Sequence, residues 1–386
     1  MENLTHSLVG AALAELAVPA GASTAQRHLF FAAGVIAANL PDADLFYTGV
    51  TASPLGSLLH HRGHTHTLVG LAAQALLIGA VCLIPAIRRH VGGSGSRLWG
   101  LIATALLSHI VLDSWNSYGV HPFFPFDNRW YYGDAIFIVE PWFWAFLGVA
   151  AVMNAENGRW KIALGVVFAL ATFAFVMIGM VPLTMMITVT VVAIGLAWLS
   201  KKWTPTRRSG VGLFAVVVYV AMMFGLKGTA RNRVVESIQP ALHGELMDVV
   251  LSPLAASPMC WTAIAIERDE GVGEYVMSRG VVSLVPRALG NRLCGTRGAA
   301  PAEWREQEHE SLATLRALER SDCRVAAWLQ FARAPLLSEK AVADFRYGDV
   351  SPGNFTYMAL AAHGVRQSCP VHLPPWGKPR ADLLSP

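Results

Sequence analysis

Apolar residues crowd the first 230 or so positions of this chain in long runs, then break up into short alternating patches. The runs Leu68–Ile87, Leu98–Val111, Ile136–Met153, Ile162–Val181, Leu183–Leu199 and Val211–Leu226 mostly approach the ~20 residues a helix needs to cross the hydrocarbon core. The run ending near His109 is short and borrows its last turn from polar residues. Leu8–Val18 and Leu29–Leu40 are shorter still, and predict a hairpin, a re-entrant pair or helices lying at the interface. Beyond residue 230, Cys260–Ile266, Gly273–Met277 and Asp344–Tyr347 read as short strands between turns, and Glu303–Leu318 as a surface helix. The pattern predicts a mainly α protein. Residues 1–228 form a polytopic membrane helical bundle, with about six long spans and a short N-terminal helical pair. Residues 229–386 form a soluble α+β domain.

Composition agrees. The 386 residues are 54% hydrophobic and 15% charged, with a mean hydropathy of +0.43, against roughly 25% charged residues in an average soluble domain. The start, Met1-Glu2-Asn3, lacks the basic region of a secretory signal. A net charge of +4 is explained by loop cations on one side and calls for no nucleic acid. Those cations order the spans. Arg88, Arg89 and Arg97, then Arg159-Trp160-Lys161, then Lys201-Lys202 with Arg207-Arg208, alternate with Ser114–Ala135 and with the uncharged turn Gly179–Pro182. The positive-inside rule puts the basic loops in the cytoplasm, against the votes of Lys227, Arg231 and Arg233. The expectation is a multi-pass protein of the bacterial inner membrane with its C-terminal domain on the periplasmic side. Four of the five cysteines (Cys260, Cys294, Cys323, Cys369) lie in that domain and Cys82 in a span. Two disulfides, in any of three pairings, and free buried thiols are both open.

Four polar clusters interrupt the apolar part: Thr5-His6-Ser7, Pro41-Asp42-Ala43-Asp44, His60-His61-Arg62-Gly63-His64-Thr65-His66-Thr67 and His109-x3-Asp113. Imidazole and carboxylate are the usual protein ligands of zinc and similar ions, and ionisable groups in or beside spans are costly enough to be functional by default. His109 and Asp113 share a helix face. Pro41 ends a helix and presents two carboxylates behind it. The loop topology lets all four clusters meet on one side of the membrane. Taken singly, each has a plainer reading: a helix cap, a turn, a surface histidine patch.

In this order, Thr-His-x3-Gly, Pro-Asp-x-Asp, His-Arg-Gly-x-Thr-His-Thr and His-x3-Asp resemble the YdjM-like family of bacterial inner-membrane proteins, which are classed as metal-dependent hydrolases. The resemblance covers roughly residues 1–145. That family in turn is similar to the zinc phospholipase C group and its related nucleases. The resemblance implies His6, Asp44, His61 or His66, His109 and Asp113 as metal ligands, with His64 a further candidate in the same cluster. One or two divalent ions, zinc by analogy, are expected, because the second His-x3-acid pair of the soluble enzymes is missing here. Such an ion acidifies water and polarises a phosphoryl or carbonyl oxygen. Asp42 is the candidate general base. Arg62 is the candidate anchor for an anionic phosphate, or else the partner of a nearby carboxylate. The aromatic loop Ser114–Asp134 is either an interfacial belt or the wall of a lipid cleft. The implied activity is hydrolysis of a phosphate ester or lipid-linked substrate. A scaffold or stress-response protein with a structural metal is the alternative, and a divalent-ion transporter ranks last, since the ligands gather at one face and not at the midplane.

Overall fold

The computed structural model describes residues 1–285, 293–296, 302–360 and 368–385. Helices α1 (Asn3–Ala17) and α2 (Thr24–Asn39) form an antiparallel pair. Their contact depends on two glycines. A Cβ on Gly10 would stand 2.4 Å from the Gly34 carbonyl oxygen, and one on Gly34 2.5 Å from that of Gly10. In a bilayer such close backbone approach replaces the hydrophobic drive that water supplies elsewhere.

At Pro41, α2 tightens into a 3₁₀ segment, Leu40–Val50, so that Thr24–Val50 is one apolar stretch of 27 residues. Length alone undercounts it, because proline and two aspartates break the apolar run. There follow α3 (Leu55–His60), a 3₁₀ turn at His64–His66, and α4 (Leu68–Cys82), with a bend of 68° between the two halves. Then come α5 (Pro85–Val91), α6 (Gly95–Ser114), α7 (Pro141–Asn154), α8 (Gly158–Met177), α9 (Leu183–Leu199) and α10 (Pro205–Ile238). Five of the described helices are long and apolar enough to span, or six if the bent α3–α4 pair is one span. The chain is a multi-pass integral membrane protein. One expected long span, Ile136–Met153, is instead the short helix α7, with a π turn at Trp144–Gly148. No residue of α8 is fully buried: Phe168, Ala171 and Phe175 pack on the bundle, and most of the remaining surface is left for lipid.

The three basic loops share one end of the bundle. There Gln26 donates to the Val91 carbonyl (3.1 Å), Arg208 to the Asn154 amide oxygen (2.8 Å) and to the Ser200 carbonyl (2.9 Å). The polar clusters lie at the opposite end.

Helix α10 does not stop at residue 228. It continues to Ile238 and becomes the packing partner of the C-terminal sheet. Strands β1 (Glu245–Leu254), β2 (Ser257–Asp269), β3 (Glu274–Ser283) and β4 (Ala302–Ser311) form an antiparallel sheet in that order. Alternation along β1 and β2 separates two faces. Val249, Leu251, Ala263 and Ala265 join Ala230, Val234 and Ile238 of α10 in one core. Val250, Ile264 and Ile266 face the other way, toward α11 (Leu312–Ser321) and α12 (Cys323–Trp328). A small sheet of β5 (Pro335–Leu337), β6 (Ala341–Asp344) and β7 (Met358–Ala359), then α13 (Ala381–Leu384), complete the chain. The segment Glu303–Leu318, expected as a helix, is β4 followed by α11, since Glu303–Glu310 pairs with β3. Disulfides join Cys260 to Cys294 and Cys323 to Cys369, and Cys82 is free.

This second core takes in Leu55, Leu58 and Leu59 of α3 with Tyr118 and Trp130 of the aromatic loop. The C-terminal domain therefore sits directly on the end of the bundle that carries the polar clusters. The aromatic loop joins the two parts: Tyr118, Phe124, Trp130 and Tyr132 pack into the shared core, while Phe123 and Phe126 stay exposed.

Candidate metal centre

Three elements deliver four side chains to one point. Asp42 comes from the 3₁₀ continuation of α2, His66 from the turn before α4, and His109 and Asp113 from the last two turns of α6. All are buried. His66 Nε2 stands 3.0 Å from His109 Nε2, 3.5 Å from Asp42 Oδ1 and 3.3 Å from Asp113 Oδ2. His109 Nε2 stands 3.4 Å from Asp42 Oδ1 and 3.6 Å from Asp113 Oδ2. Ligands at zinc-like bond lengths of ~2.0–2.1 Å on a tetrahedron lie about 3.3–3.4 Å apart. These separations bracket that edge.

Tautomers sharpen the fit. His109 Nδ1 lies 2.6 Å from the Ala38 carbonyl oxygen, which can only accept, so Nδ1 holds the proton and Nε2 a lone pair. The Thr65 hydroxyl donates to Asp44 Oδ2 (2.8 Å), which leaves its oxygen to accept from His66 Nδ1 (3.0 Å). His66 therefore also turns a lone pair inward. Two imidazole lone pairs and two carboxylate oxygens converge on one buried point, an arrangement that a cation between them would stabilise. The donor set suits a divalent ion such as zinc.

Asp44 stands one layer back. Its oxygens accept from His61 Nδ1 (3.0 Å), the Arg62 backbone N–H (2.9 Å) and Thr65, and one lies 3.2 Å from His66 Nδ1. It orients two histidines, the arrangement that commonly supports metal-bound imidazoles. Asp42, Asp44 and His61 also lie close enough together to form a second, more exposed group of donors.

His6 is wholly buried, its ring stacked on His109 at 3.8 Å and its Nε2 3.3 Å from the other Asp113 oxygen. That oxygen also receives the amino group of Met1. Arg62 adopts a positive φ of 58° and is buried. Its Nε faces Asp113 Oδ2 at 3.0 Å, and its Nη1 donates to Asn116 Oδ1 at 3.0 Å. The guanidinium is thus already paired with a carboxylate, not open to a phosphate. His64 is placed elsewhere, exposed and packed between Phe124 and Trp376.

The remaining residues of the long motif are structural. His60 meets the Thr51 hydroxyl at 2.9 Å, and Thr67 caps α4 by accepting from the Gly70 N–H at 2.8 Å. Sequence reasoning passed over Thr65, Asn3 and the Ala38 carbonyl. Asn3 donates to Asp42 Oδ2 at 2.9 Å. Thr65 stood in plain view within the motif, but a backbone carbonyl leaves no trace in residue identity.

The C-terminal domain roofs the centre. Trp376 donates its indole N–H to the Leu59 carbonyl (2.7 Å) and stacks on His121 (3.9 Å), while Arg346 donates to the Ser117 carbonyl (2.6 Å). Arg333 pairs with Asp134 of the loop (2.9 Å) and with Asp248 of β1 (2.8 Å). Burial works against that guanidinium's charge, but the two carboxylates more than offset it and hold its pKa above the ordinary arginine value.

Residues 1–183 match the model of the YdjM inner membrane protein family. No curated protein and no solved structure matches the chain.

Proposed function

We propose that this chain, whose residues 1–183 belong to the YdjM inner membrane protein family, is a membrane-bound metal-dependent hydrolase of phosphate esters. The observation that carries the reading is the group of four converging donors, Asp42, His66, His109 and Asp113, with both imidazole lone pairs turned inward. These residues would hold the ion. When bound, it would acidify water and polarise a phosphoryl oxygen.

The chain's own groups supply the rest. His61 is 23% exposed, and its Nδ1–H is held by Asp44, which leaves Nε2 free. It is the residue best placed to accept a proton from an attacking water. Hydrolysis joins the water oxygen to phosphorus and breaks the bond to the alcohol, which leaves with a proton. Arg62, whose guanidinium also donates to Asn116, holds Asp113 in place. Ala38 and Thr65 fix the tautomers. The roof keeps bulk water out.

A structural ion is the second reading, favoured by the fact that four protein donors suffice to close a tetrahedron. The test is metal content with phosphate-ester turnover, measured on detergent-purified wild type, His109→Ala and His61→Asn. The hydrolase reading expects His109→Ala to lose the ion and turnover together, and His61→Asn to keep the ion and lose turnover. Unchanged metal content in His109→Ala refutes the site. Retained metal with no metal-dependent turnover in the wild type favours the structural ion. The periplasmic placement of the centre and its roof belongs to the same proposal, and rests on the basic loops at the opposite end.

A further inference from the structure

We propose that the substrate is an amphiphile that reaches the centre sideways from the bilayer, past the 3₁₀ segment Leu40–Val50, and not from the aqueous phase. The inference rests on the hydrolase reading and names its substrate class: a lipid carrying a phosphate ester in its headgroup.

The aqueous approach is covered. Trp376 on Leu59, Arg346 on Ser117, and Trp130 on the Gln330 carbonyl (2.6 Å) close it, as does Thr51 on the Val371 carbonyl (3.0 Å). Tyr118 packs edge-on against Phe331 beneath this roof. Among the donors around the centre, His66, His109, Asp113 and Asp44 have no side-chain exposure, Asp42 has 8% and His61 23%. Whatever reaches the ion passes those two.

The surface on their side is apolar. On the segment that carries Asp42 and Asp44, Leu45 is 50% exposed, Phe46 95% and Val50 49%. A flank of this kind belongs in lipid, and the segment runs on directly from the spanning helix α2. Depth agrees. Along α6, His109 lies 14 residues and Asp113 18 residues beyond Gly95, or roughly 21 and 27 Å along an axis that spans ~30 Å of hydrocarbon. The centre thus lies toward one membrane surface, where lipid phosphates reside, and not at the midplane.

The test has two arms. A nitroxide on Phe46→Cys, in a Cys82→Ser background in phosphatidylglycerol–phosphatidylethanolamine vesicles, is compared with one on Phe355→Cys in the C-terminal domain, where Phe355 is 51% exposed. Oxygen collisions should dominate at position 46 and a water-soluble nickel chelate at position 355. Nickel access at 46 equal to that at 355 overturns the proposal.

In the second arm, Phe46→Asp is assayed on vesicle-borne phosphatidic acid and on soluble p-nitrophenyl phosphate. The expected result is that the wild type turns over the lipid in clear preference to the soluble ester, and that Phe46→Asp loses on the order of tenfold on the lipid with metal content unchanged. Soluble-ester turnover equal to lipid turnover in the wild type, or no loss on the lipid in Phe46→Asp, overturns it. If neither substrate is turned over by the wild type, the hydrolase reading has failed, and the nitroxide arm still decides whether this flank lies in lipid.

Discussion

Asp44→Asn tests whether Asp44 would hold the proposed ion itself or would hold the residues that do. The substitution keeps the shape of the side chain but removes the charge and exchanges an acceptor oxygen for an NH2 donor. Asp44 Oδ2 accepts from the Arg62 N–H and from Thr65, and Oδ1 accepts from His61. An amide nitrogen at Oδ2 would face two donors, so it settles at Oδ1 and faces His61 Nδ1. His61 must then change tautomer or turn away. His66 keeps Thr65, but its neighbour is no longer an anion. Loss of such an outer partner typically costs 10–100-fold in metal affinity, which is about 1.4–2.7 kcal/mol. The ion should weaken, not vanish. Competition with chelators of graded affinity, read by elemental analysis, measures this directly, with His109→Ala as the reference for full loss. Metal loss in Asp44→Asn as complete as in His109→Ala would make Asp44 a direct ligand. Unchanged affinity would break the link from Asp44 to His66.

Arg333→Met leaves Asp134, only 4% exposed, without its partner, and should destabilise the roofed protein by about 3–5 kcal/mol, seen as earlier thermal unfolding and faster proteolysis between the two parts. Denatured but unreduced protein should titrate one thiol per chain, that of Cys82, and five after reduction; more than one before reduction contradicts the pairings. Burial, reinforced by Glu308, raises the Glu310 carboxyl to about 7. Its folded pKa then exceeds its unfolded one, so the stability it lends is complete below about pH 4.5 and is lost as pH rises through 7. Glu310→Gln should flatten the pH–stability curve in that window, and an unchanged slope would remove Glu310 as its cause.

Much of the architecture was legible along the chain, because a bilayer imposes composition directly. A helix in hydrocarbon must be apolar for about 20 residues, so most spans announce themselves. The misreadings have local causes. Pro41, Asp42 and Asp44 broke up a span that the fold carries through to Val50, and Glu140-Pro141 cut an expected one down to α7. The segment Glu303–Leu318 has charges at helical spacing, yet β3 offers an unpaired edge, and Glu303–Glu310 takes it as β4.

By itself, the sequence determined the chemical vocabulary of the centre and its order among the spans. Histidine and aspartate beside apolar helices are too costly to be incidental, and their identities limit what they can bind. Only the tertiary structure decided which of them share a point. His64 and His66 are two residues apart, yet one turns out toward Trp376 and the other in toward His109. Asp42 and Asp44 divide the work in the same way, one among the converging donors and one behind them. The roof was invisible for a related reason. Its contacts join residues such as Leu59 and Trp376, 317 positions apart, and such pairings have no period for a linear pattern to show. Coordination and docking are set by distances in space, and those exist only once the chain has folded.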